Sequence, residues 1–334
     1  MIREFRDEDA PAAVEVLRAT AADWTASAPS LLHRLGNHPP RARQVAWVAE
    51  EDGQLAGFAR ARLRWEVSER SVGWLWLGVR QSLRGRGLGG LLATTAERHL
   101  SEAGAEVVES FAAEESGRRF LEARGYRRAG SERLSRLDIA SADLSALPGL
   151  ERAKAAEGFR LVPLKEALAR PRDVHAVYAA ISADVPEDFA VDDIRYEDWV
   201  HECLEDPDLS LDGSAVVLHG DKPVALSFLM TDGAGGAAND MTGTLPAFRR
   251  RGLARLAKLA TIRWSAGEGV GGILTGNDDE NQGMLALNES LGYRPAVTQT
   301  LYAREEPRPT VGLHGRSRGT QRGTLARYSS YSSP

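Results

Sequence analysis

Two short stretches rich in arginine and glycine carry the residue types best suited to chemistry. The first cradle is Arg84-Gly85-Arg86-Gly87-Leu88-Gly89-Gly90, and the second cradle is Arg249-Arg250-Arg251-Gly252-Leu253-Ala254-Arg255. Each follows an apolar, strand-like run and precedes a helix-like one, so each is predicted to place backbone N–H groups and guanidinium groups at a helix N-terminus. A helix N-terminus binds anions. Both stretches are therefore candidate phosphate sites.

The two cradles belong to an internal repeat. Both keep the pattern Arg-x-x-Gly-x-(Gly or Ala), and Gly125-Tyr126 and Gly292-Tyr293 punctuate the two halves at matching places. Periodicity and turn residues predict the element order β-α-α-β-β-β-α-β-α-β-β in each half, with a hairpin turning at residues 51–54. A shared order of secondary-structure elements, with Gly-Tyr pairs at matching places, indicates two copies of one domain.

The repeat predicts the domain organisation. We expect one domain over residues 1–140, a linker rich in Ala, Ser and Leu over 141–157, and a second domain over 158–304. Residues 305–334 form a tail that is basic and rich in Gly, Ser, Thr and Pro, and they are predicted to be disordered.

Composition excludes several classes of protein. The 334 residues suffice for two domains, and the 43% hydrophobic and 27% charged contents are those of a soluble globular protein. A net charge of −5 argues against a nucleic-acid binder. Cys203 is the one cysteine, which excludes an internal disulfide, and the histidines lack metal-ligand spacing, so no metal is expected. Without a signal peptide or an apolar span, the expected location is the cytoplasm, away from membranes.

Other phosphate motifs fit less well. Residues 85–90 match G-x-G-x-x-G, and Glu109 lies near the distance of a ribose-binding acid. The second cradle, however, has no glycine at 250, 254 or 255, so the dinucleotide fingerprint is not what the two copies share. No Gly-Lys-Ser/Thr follows, which excludes a P-loop. Arginines that only cover a helix end would not explain the repeated glycines.

The shared pattern resembles the pyrophosphate-binding motif Gln/Arg-x-x-Gly-x-Gly/Ala of the GNAT acetyltransferase superfamily, which joins the fourth strand to the third helix. The resemblance covers nearly all of residues 1–304, and the tandem plan is similar to that of mycothiol synthase-like proteins. It implies an α+β fold of two tandem GNAT-fold domains, each a mixed, mostly antiparallel sheet flanked by helices. It also implies acetyl-CoA as the coenzyme.

The resemblance further implies where acetyl-CoA binds. Pantetheine would add along the open edge of the fourth strand, at 77–79 in the first copy and 242–245 in the second, with the backbone N–H of Thr244 or Leu245 as the oxyanion donor. The residues predicted to bind the coenzyme are Leu77, Val79, Arg84, Gly85, Arg86, Gly87, Leu88, Gly89, Gly90, Thr244, Leu245, Arg249, Arg250, Arg251, Gly252, Leu253, Ala254, Arg255 and Asn281.

The two copies depart from the family pattern unequally. The family's Asn-x-x-Ala-x-x-Leu-Tyr segment has Asn281 in place but Asn288 where the Tyr stands, whereas the first copy has Glu114 and Leu121 at these positions. The C-terminal copy is therefore the predicted active one. Asp240, placed at the start of the fourth strand, is predicted to accept the amine proton. Asn288 cannot donate a proton, but it is predicted to hydrogen-bond the sulfur or carbonyl.

These features predict an N-acetyltransferase in which a primary amine, on a small molecule or a peptide, attacks acetyl-CoA directly. The alternative is a non-catalytic acyl-CoA-binding scaffold or sensor. The chain is expected to act as a monomer or homodimer. An acidic run could attract a cationic amine or be a solvated surface: Asp184, Glu187, Asp188, Asp192, Asp193, Glu197 and Asp198.

Overall fold

The first half follows the predicted element order up to its last strand. A computed structural model describes residues 1–21, 26–67, 70–184 and 194–306. The hairpin turns at Asp52-Gly53, where both residues have positive φ (53° and 75°), the geometry of a two-residue turn that matches strand twist. The two final strands of the predicted order are wrong for this half, because a single strand, Arg127–Asp138, takes their place. The elements are β1 (Ile2–Glu4), α1 (Ala10–Thr20), α2 (Ala28–Gly36), β2 (Val45–Glu51), β3 (Gln54–Leu63), β4 (Val72–Val79), α3 (Leu88–Glu102), β5 (Val107–Ala112), α4 (Glu115–Ala123) and β6 (Arg127–Asp138).

The predicted linker over residues 141–157 is largely helical. Its Leu147 is only 1% exposed because it packs into the apolar core of the second half. The last strand ends at Glu305, one residue into the predicted tail, while residues 307–334 and the acidic residues at 187, 188, 192 and 193 lie outside the described ranges. The domain boundaries stay a prediction. The elements are α5 (Leu147–Ala156), β7 (Phe159–Pro163), α6 (Leu164–Ala167), α7 (Pro171–Ser182), α8 (Tyr196–Trp199), β8 (Ala215–His219), β9 (Lys222–Thr231), β10 (Gly236–Thr244), α9 (Leu253–Gly267), β11 (Gly272–Asp278), α10 (Gln282–Ser290) and β12 (Arg294–Glu305).

All twelve strands join in one sheet of order β1-β2-β3-β4-β5-β12-β6-β11-β10-β9-β8-β7. β12, from the end of the chain, pairs with β5 and β6 of the first half, and β6 pairs with β11 of the second. Each half therefore gives its last strand to the sheet of the other. This exchange was not predicted from the sequence.

Helices cover both faces of the sheet. In the first half, Leu92 and Leu100 of α3 are fully buried against one face, while Leu17 of α1 and Leu31 of α2 are fully buried towards the other. The second half repeats these layers with α9 on one face and α7 on the other. Burial of one such leucine contributes about 1.5–3 kcal/mol, so the layers hold the strand ends that carry the cradles.

Lys258 of α9 is a charged group in this core. The side chain is 1% exposed, and its Nζ lies 5.0 Å from the ring centroid of Tyr293. Burial lowers the pKa of Lys258 from 10.5 to about 7. Below pH 7 the charged form is buried in the folded protein, at a cost of about 5 kcal/mol. Between pH 7 and 10.5 the unfolded chain binds more protons, so this cost falls as pH rises.

Lys258→Met is therefore expected to stabilise the protein, and the gain should be roughly 3 kcal/mol smaller at pH 9 than at pH 6. Urea unfolding of both proteins at the two pH values measures it. Lys222→Met, at an exposed lysine, is the matched control and should change little. A gain independent of pH would show that Lys258 is not the titrating group.

No helix in the described ranges combines the length and the apolar character that a membrane span requires. The same ranges hold no group of three His, Cys, Asp or Glu side chains placed to bind a metal ion. Burial raises the pKa of the Cys203 thiol well above its usual value. That thiol is therefore protonated at neutral pH, and a covalent acyl-cysteine has no support in the structure.

Candidate active site

The sheet opens at two places, each beside a cradle. β4 and β5 pair in parallel only where 72–74 meet 107–109, and β10 and β11 only where 236–238 meet 272–274. Beyond these pairs the strands diverge, so the second parts of β4 and β10 have one unpaired edge. Unpaired N–H and C=O groups of such an edge can bond an extended ligand.

In the first copy, the hydrogen bonds between β3 and β4 show which backbone groups of β4 face the opening. The Arg80 N–H donates to the Ala56 carbonyl at 2.9 Å, so Arg80 faces β3, and alternate residues on β4 face the opposite way. Leu77 and Val79, the two predicted edge residues, therefore face the opening. The Val79 carbonyl accepts a 3.1 Å bond from Arg84 Nε, which fixes the first arginine of the cradle at the edge.

The second copy has the same arrangement, and it corrects one prediction. The Leu245 N–H donates to the Val224 carbonyl at 2.9 Å, so it is already bonded and is not a free oxyanion donor. Thr244, one residue earlier, faces the opening. Its carbonyl accepts a 3.3 Å bond from Arg249 Nε, as Val79 does from Arg84 in the first copy. Of the two predicted donors, the geometry therefore leaves Thr244.

The backbone of the two cradles is left-handed at matching positions. Gly85 and Gly87 have φ of 79° and 83°, and Arg250 and Gly252 have φ of 63° and 76°. A Cβ built on any of the three glycines meets no atom within 4 Å. Space is therefore open in front of each helix N-terminus, as a pyrophosphate requires, and the φ angle is what favours glycine. Arg250 holds this conformation at a cost of about 1–3 kcal/mol.

In the first cradle both arginines are neutralised by carboxylates. Arg84 Nη1 lies 2.5 Å from an oxygen of Glu114, and Arg86 Nη1 lies 3.2 Å from an oxygen of Glu51. The Arg84 guanidinium lowers the pKa of Glu114, so this carboxylate stays charged at neutral pH. The first cradle thus has two cations and two anions.

In the second cradle the arginines outnumber the carboxylates that pair with them among the described residues. Arg249 forms an ion pair with Asp184, whereas the other three arginines have no ion pair with a described residue. The guanidinium of Arg251 lies 5.2 Å from the ring centroid of Phe159. The remaining predicted cradle residues open the two helices, as Leu88, Gly89 and Gly90 in α3 and as Leu253, Ala254 and Arg255 in α9.

Asn281 and Glu114 occupy matching positions in the two copies, and this difference, like that between the cradles, favours an anionic ligand in the second copy. Asn281 caps α10, because its Oδ1 accepts a 3.2 Å bond from the Met284 N–H. Its amide nitrogen makes no hydrogen bond with a described residue, so it can donate to a ligand. Glu114 precedes α4 at the matching place, but it carries a negative charge and bonds Arg84.

Asp240 lies at a β-bulge. The bulge sets Asp240 and Met241 opposite the single residue Phe228 of β9, and the strand begins at Gly236, so the prediction of Asp240 at the strand start is wrong. Burial raises the pKa of Asp240, and the charge of Arg34 opposes this rise. A carboxylate with a raised pKa, re-aimed by a bulge, is suited to accept a proton. No bulge interrupts the β3–β4 ladder.

The predicted role of Asn288 is not supported by its contacts. The side chain is 2% exposed, and its Nδ2 donates to the Asn277 Oδ1 at 2.7 Å. Its Oδ1 is buried without a hydrogen bond and can only accept one. One of its two N–H donors is therefore used within the core, and the buried side chain has no contact among the described residues that supports a bond to the sulfur or the carbonyl.

Arg34 was not predicted as a site residue. It lies on α2 of the first half, but its Nε is 2.8 Å from Asp206 of the second half, and its charge acts on Asp240. Ser27 makes a parallel link, its N–H donating to Asp208 at 2.6 Å. The space beside Asp240 is therefore bordered by both halves, through contacts that local sequence patterns do not encode.

Comparison with known proteins supports the fold. Residues 11–126 match the model of the acetyltransferase (GNAT) family. A search of curated proteins gives no match. Two solved structures share the fold over almost the whole chain. A GCN5-related N-acetyltransferase from Sphaerobacter thermophilus is 20% identical, with a TM-score of 0.67, over 94% of this chain and 97% of that one. A tandem GNAT protein from the clavulanic acid biosynthesis pathway is 19% identical, with a TM-score of 0.69, over 91% and 98%.

Proposed function

We propose that the chain is an acetyl-CoA-dependent acetyltransferase, since its residues 11–126 match the GNAT family, and that its C-terminal copy transfers the acetyl group to a primary amine by direct attack. The charge balance of the cradles carries this proposal. Within the described residues, the second cradle has four arginines and one paired carboxylate, while both arginines of the first are paired with carboxylates. A pyrophosphate therefore binds more favourably at the second cradle.

The residues of the second copy have distinct roles in this proposal. The backbone N–H groups at 252–255 and the neighbouring arginines hold the pyrophosphate. Asn281 donates an amide hydrogen bond to the coenzyme. The Thr244 N–H faces the opening and stabilises the charge that develops on the attacked carbonyl oxygen. Asp240 takes the amine proton, directly or through water. Acetyl-CoA, when bound, supplies the acetyl thioester, whose thiol, with a pKa of about 8.5, leaves without a dedicated acid.

The family match falls on the other copy, which keeps Arg84 and both glycines. That copy has no bulge on β4, and Glu114 stands where the second copy has Asn281. A pyrophosphate there would have to break the Arg84–Glu114 pair and lie beside the freed carboxylate. We infer that the first copy retains the coenzyme-binding fold and contributes to the structure of the acceptor space.

A thiol-release assay over a panel of primary amines tests the proposed function. Release that depends on the amine, with equal formation of the N-acetyl product, is the expected result. Tight acetyl-CoA binding without turnover on any amine would instead favour the sensor alternative. That alternative is motivated by Asn288 and Leu121, which stand where the family has a Tyr and cannot protonate the thiolate. The panel includes an amine of the kind that mycothiol synthase-like proteins acetylate.

Glu114→Gln is expected to create a second coenzyme site, because it frees Arg84 and removes the opposing charge. Calorimetry should give one acetyl-CoA per chain for the wild type and two for the variant. Both partners of the lost ion pair are partly exposed, so stability should change by less than about 1 kcal/mol. Glu115→Gln, which leaves Arg84 and Glu114 paired, is the matched control. Two equal sites in the wild type would contradict the assigned difference between the copies.

A further inference from the structure

A network of four polar side chains lies within the apolar core beneath α9, and it is called the polar network below. The Tyr293 hydroxyl donates to Asn239 Oδ1 at 2.7 Å, and Asn239 Nδ2 donates to Ser227 Oγ at 3.3 Å. Ser227 Oγ in turn lies 2.9 Å from Thr242 Oγ1. All four side chains are buried. Because buried polar groups that bond one another fix a single arrangement, the network can hold the backbone segments that carry it.

The polar network spans the β-bulge that contains Asp240. Asn239 pairs with β9 immediately before the bulge, and Thr242 pairs with it immediately after. Through Ser227, the network joins these two residues across the pair that lies between them. Asn239 Nδ2 is also 3.4 Å from the carbonyl oxygen of Phe228, the residue of β9 that faces the bulge. The side-chain bonds therefore connect β10 to β9 where the ladder of backbone bonds is interrupted.

The first copy has neither the bulge nor the polar network. Val79 and Thr244 correspond, because each carbonyl accepts a bond from the first arginine of its cradle, and corresponding residues follow by counting back along each ladder. The residues that correspond to Ser227, Asn239 and Thr242 are Ala59, Leu75 and Leu77. All three are apolar, and no extra residue separates the two leucines. The polar network and the bulge thus occur together in one copy and are both missing from the other.

The tyrosines at matching places in the two copies make different bonds. Tyr126 is buried, as Tyr293 is, but its hydroxyl donates to Glu97 of α3 at 3.1 Å and not to the central strand. Tyr293 stands between α10 and β12, so its bond to Asn239 connects the bulge to a separate part of the core. Burial raises the pKa of Tyr293, so its hydroxyl stays protonated at neutral pH and donates this bond.

We propose that the Tyr293 hydroxyl is a positioning group for acetyl transfer, because it holds Asn239 and thereby the bulge that directs Asp240 towards the amine. The role of Asp240 rests on the proposed function, whereas the hold on the bulge rests on the polar network alone. A loosened bulge would let Asp240 move relative to the Thr244 N–H, and small displacements of reacting groups slow a reaction strongly. The second cradle makes no contact with the network, so coenzyme binding should be unaffected.

Tyr293→Phe tests this proposal, because it removes the hydroxyl and keeps the ring in the core. We expect kcat to fall by between about tenfold and 10²-fold, while KM for acetyl-CoA changes by less than about twofold. Thr242→Val breaks the network at its other end and should cause a loss of the same kind. Tyr126→Phe is the matched control and should keep kcat within about twofold of the wild type. Wild-type kcat in folded Tyr293→Phe, or equal losses in Tyr293→Phe and Tyr126→Phe, would overturn the proposal.

Amide hydrogen exchange gives a second readout that needs no turnover. Exchange over residues 236–244 of β10 should be faster in Tyr293→Phe than in the wild type, because the bulge opens more often. Residues 215–219 of β8 are the internal reference and should exchange as before, and Tyr126→Phe should leave β10 unchanged. Faster exchange confined to β10, without turnover of any amine by the wild type, would keep the hold on the bulge and reject the proposed function. Exchange in β10 that matches the wild type would overturn the inference.

Discussion

Gly252→Glu is expected to abolish acetyl transfer. Gly252 precedes α9 with φ of 76°, and a Cβ at this position meets no atom within 4 Å. The glutamate therefore fits without a clash, at a backbone cost of about 1–2 kcal/mol. Its carboxylate would lie in front of the helix N-terminus and compete with the pyrophosphate for the same N–H groups. Steady-state thiol release measures the loss, and circular dichroism checks that the variant is folded.

Gly87→Glu is the matched control for this experiment. Gly87 has the same left-handed backbone, with φ of 83° and the same open space around its Cβ, so the structural cost is nearly the same. It should reduce stability to a similar extent and leave both turnover and the single coenzyme site in place. If Gly87→Glu alone eliminates activity, the chemistry lies in the first copy and the assignment is wrong.

Asp240→Asn is expected to lower kcat/KM by about 10²–10⁴-fold, the usual contribution of a positioned general base. Only the ionised carboxylate accepts a proton, so wild-type activity should rise with pH through the pKa of Asp240. Burial raises that pKa, so the rise should lie above the usual range of an aspartate. The variant should lose this limb of the pH–rate profile.

Stability distinguishes this loss from misfolding. Because the folded pKa of Asp240 is raised, its ionisation opposes folding as pH rises through that pKa, and the amide variant should be at least as stable at neutral pH. Asp221→Asn, at an exposed turn after β8, is the control and should keep full activity. An unchanged pH–rate profile in Asp240→Asn would assign the proton to another acceptor.

Features that depend on a few adjacent residues could be predicted from the sequence. The Asp52-Gly53 turn and the left-handed Gly87 and Gly252 follow from backbone preferences of the residues themselves. The GNAT fold was implied by the resemblance of the repeated Arg/Gly motif and its element order to that family, and it is confirmed by whole-chain likeness to a tandem GNAT protein. Local chemistry was therefore sufficient for the cradles and the fold class.

Features set by pairing between distant segments could not be predicted. Whether the N–H of Thr244 or that of Leu245 faces the opening depends on how β10 aligns with β9. The bulge at Asp240 is likewise a property of two strands. Asn288 was given a catalytic role because its position in a motif was visible, while its bond to Asn277 was not. Contacts of Arg34 with the second half join residues far apart in sequence.

The exchange of β6 and β12 determines when the protein can be completed during synthesis. β5 emerges from the ribosome early, but its neighbour in the sheet is β12, which ends at Glu305. The first half therefore keeps an open strand edge until β12 has been translated. Late pairing over such a distance is slow and leaves that edge exposed to other chains. Separated from each other, the two halves would each lack a strand that the other contributes to the sheet.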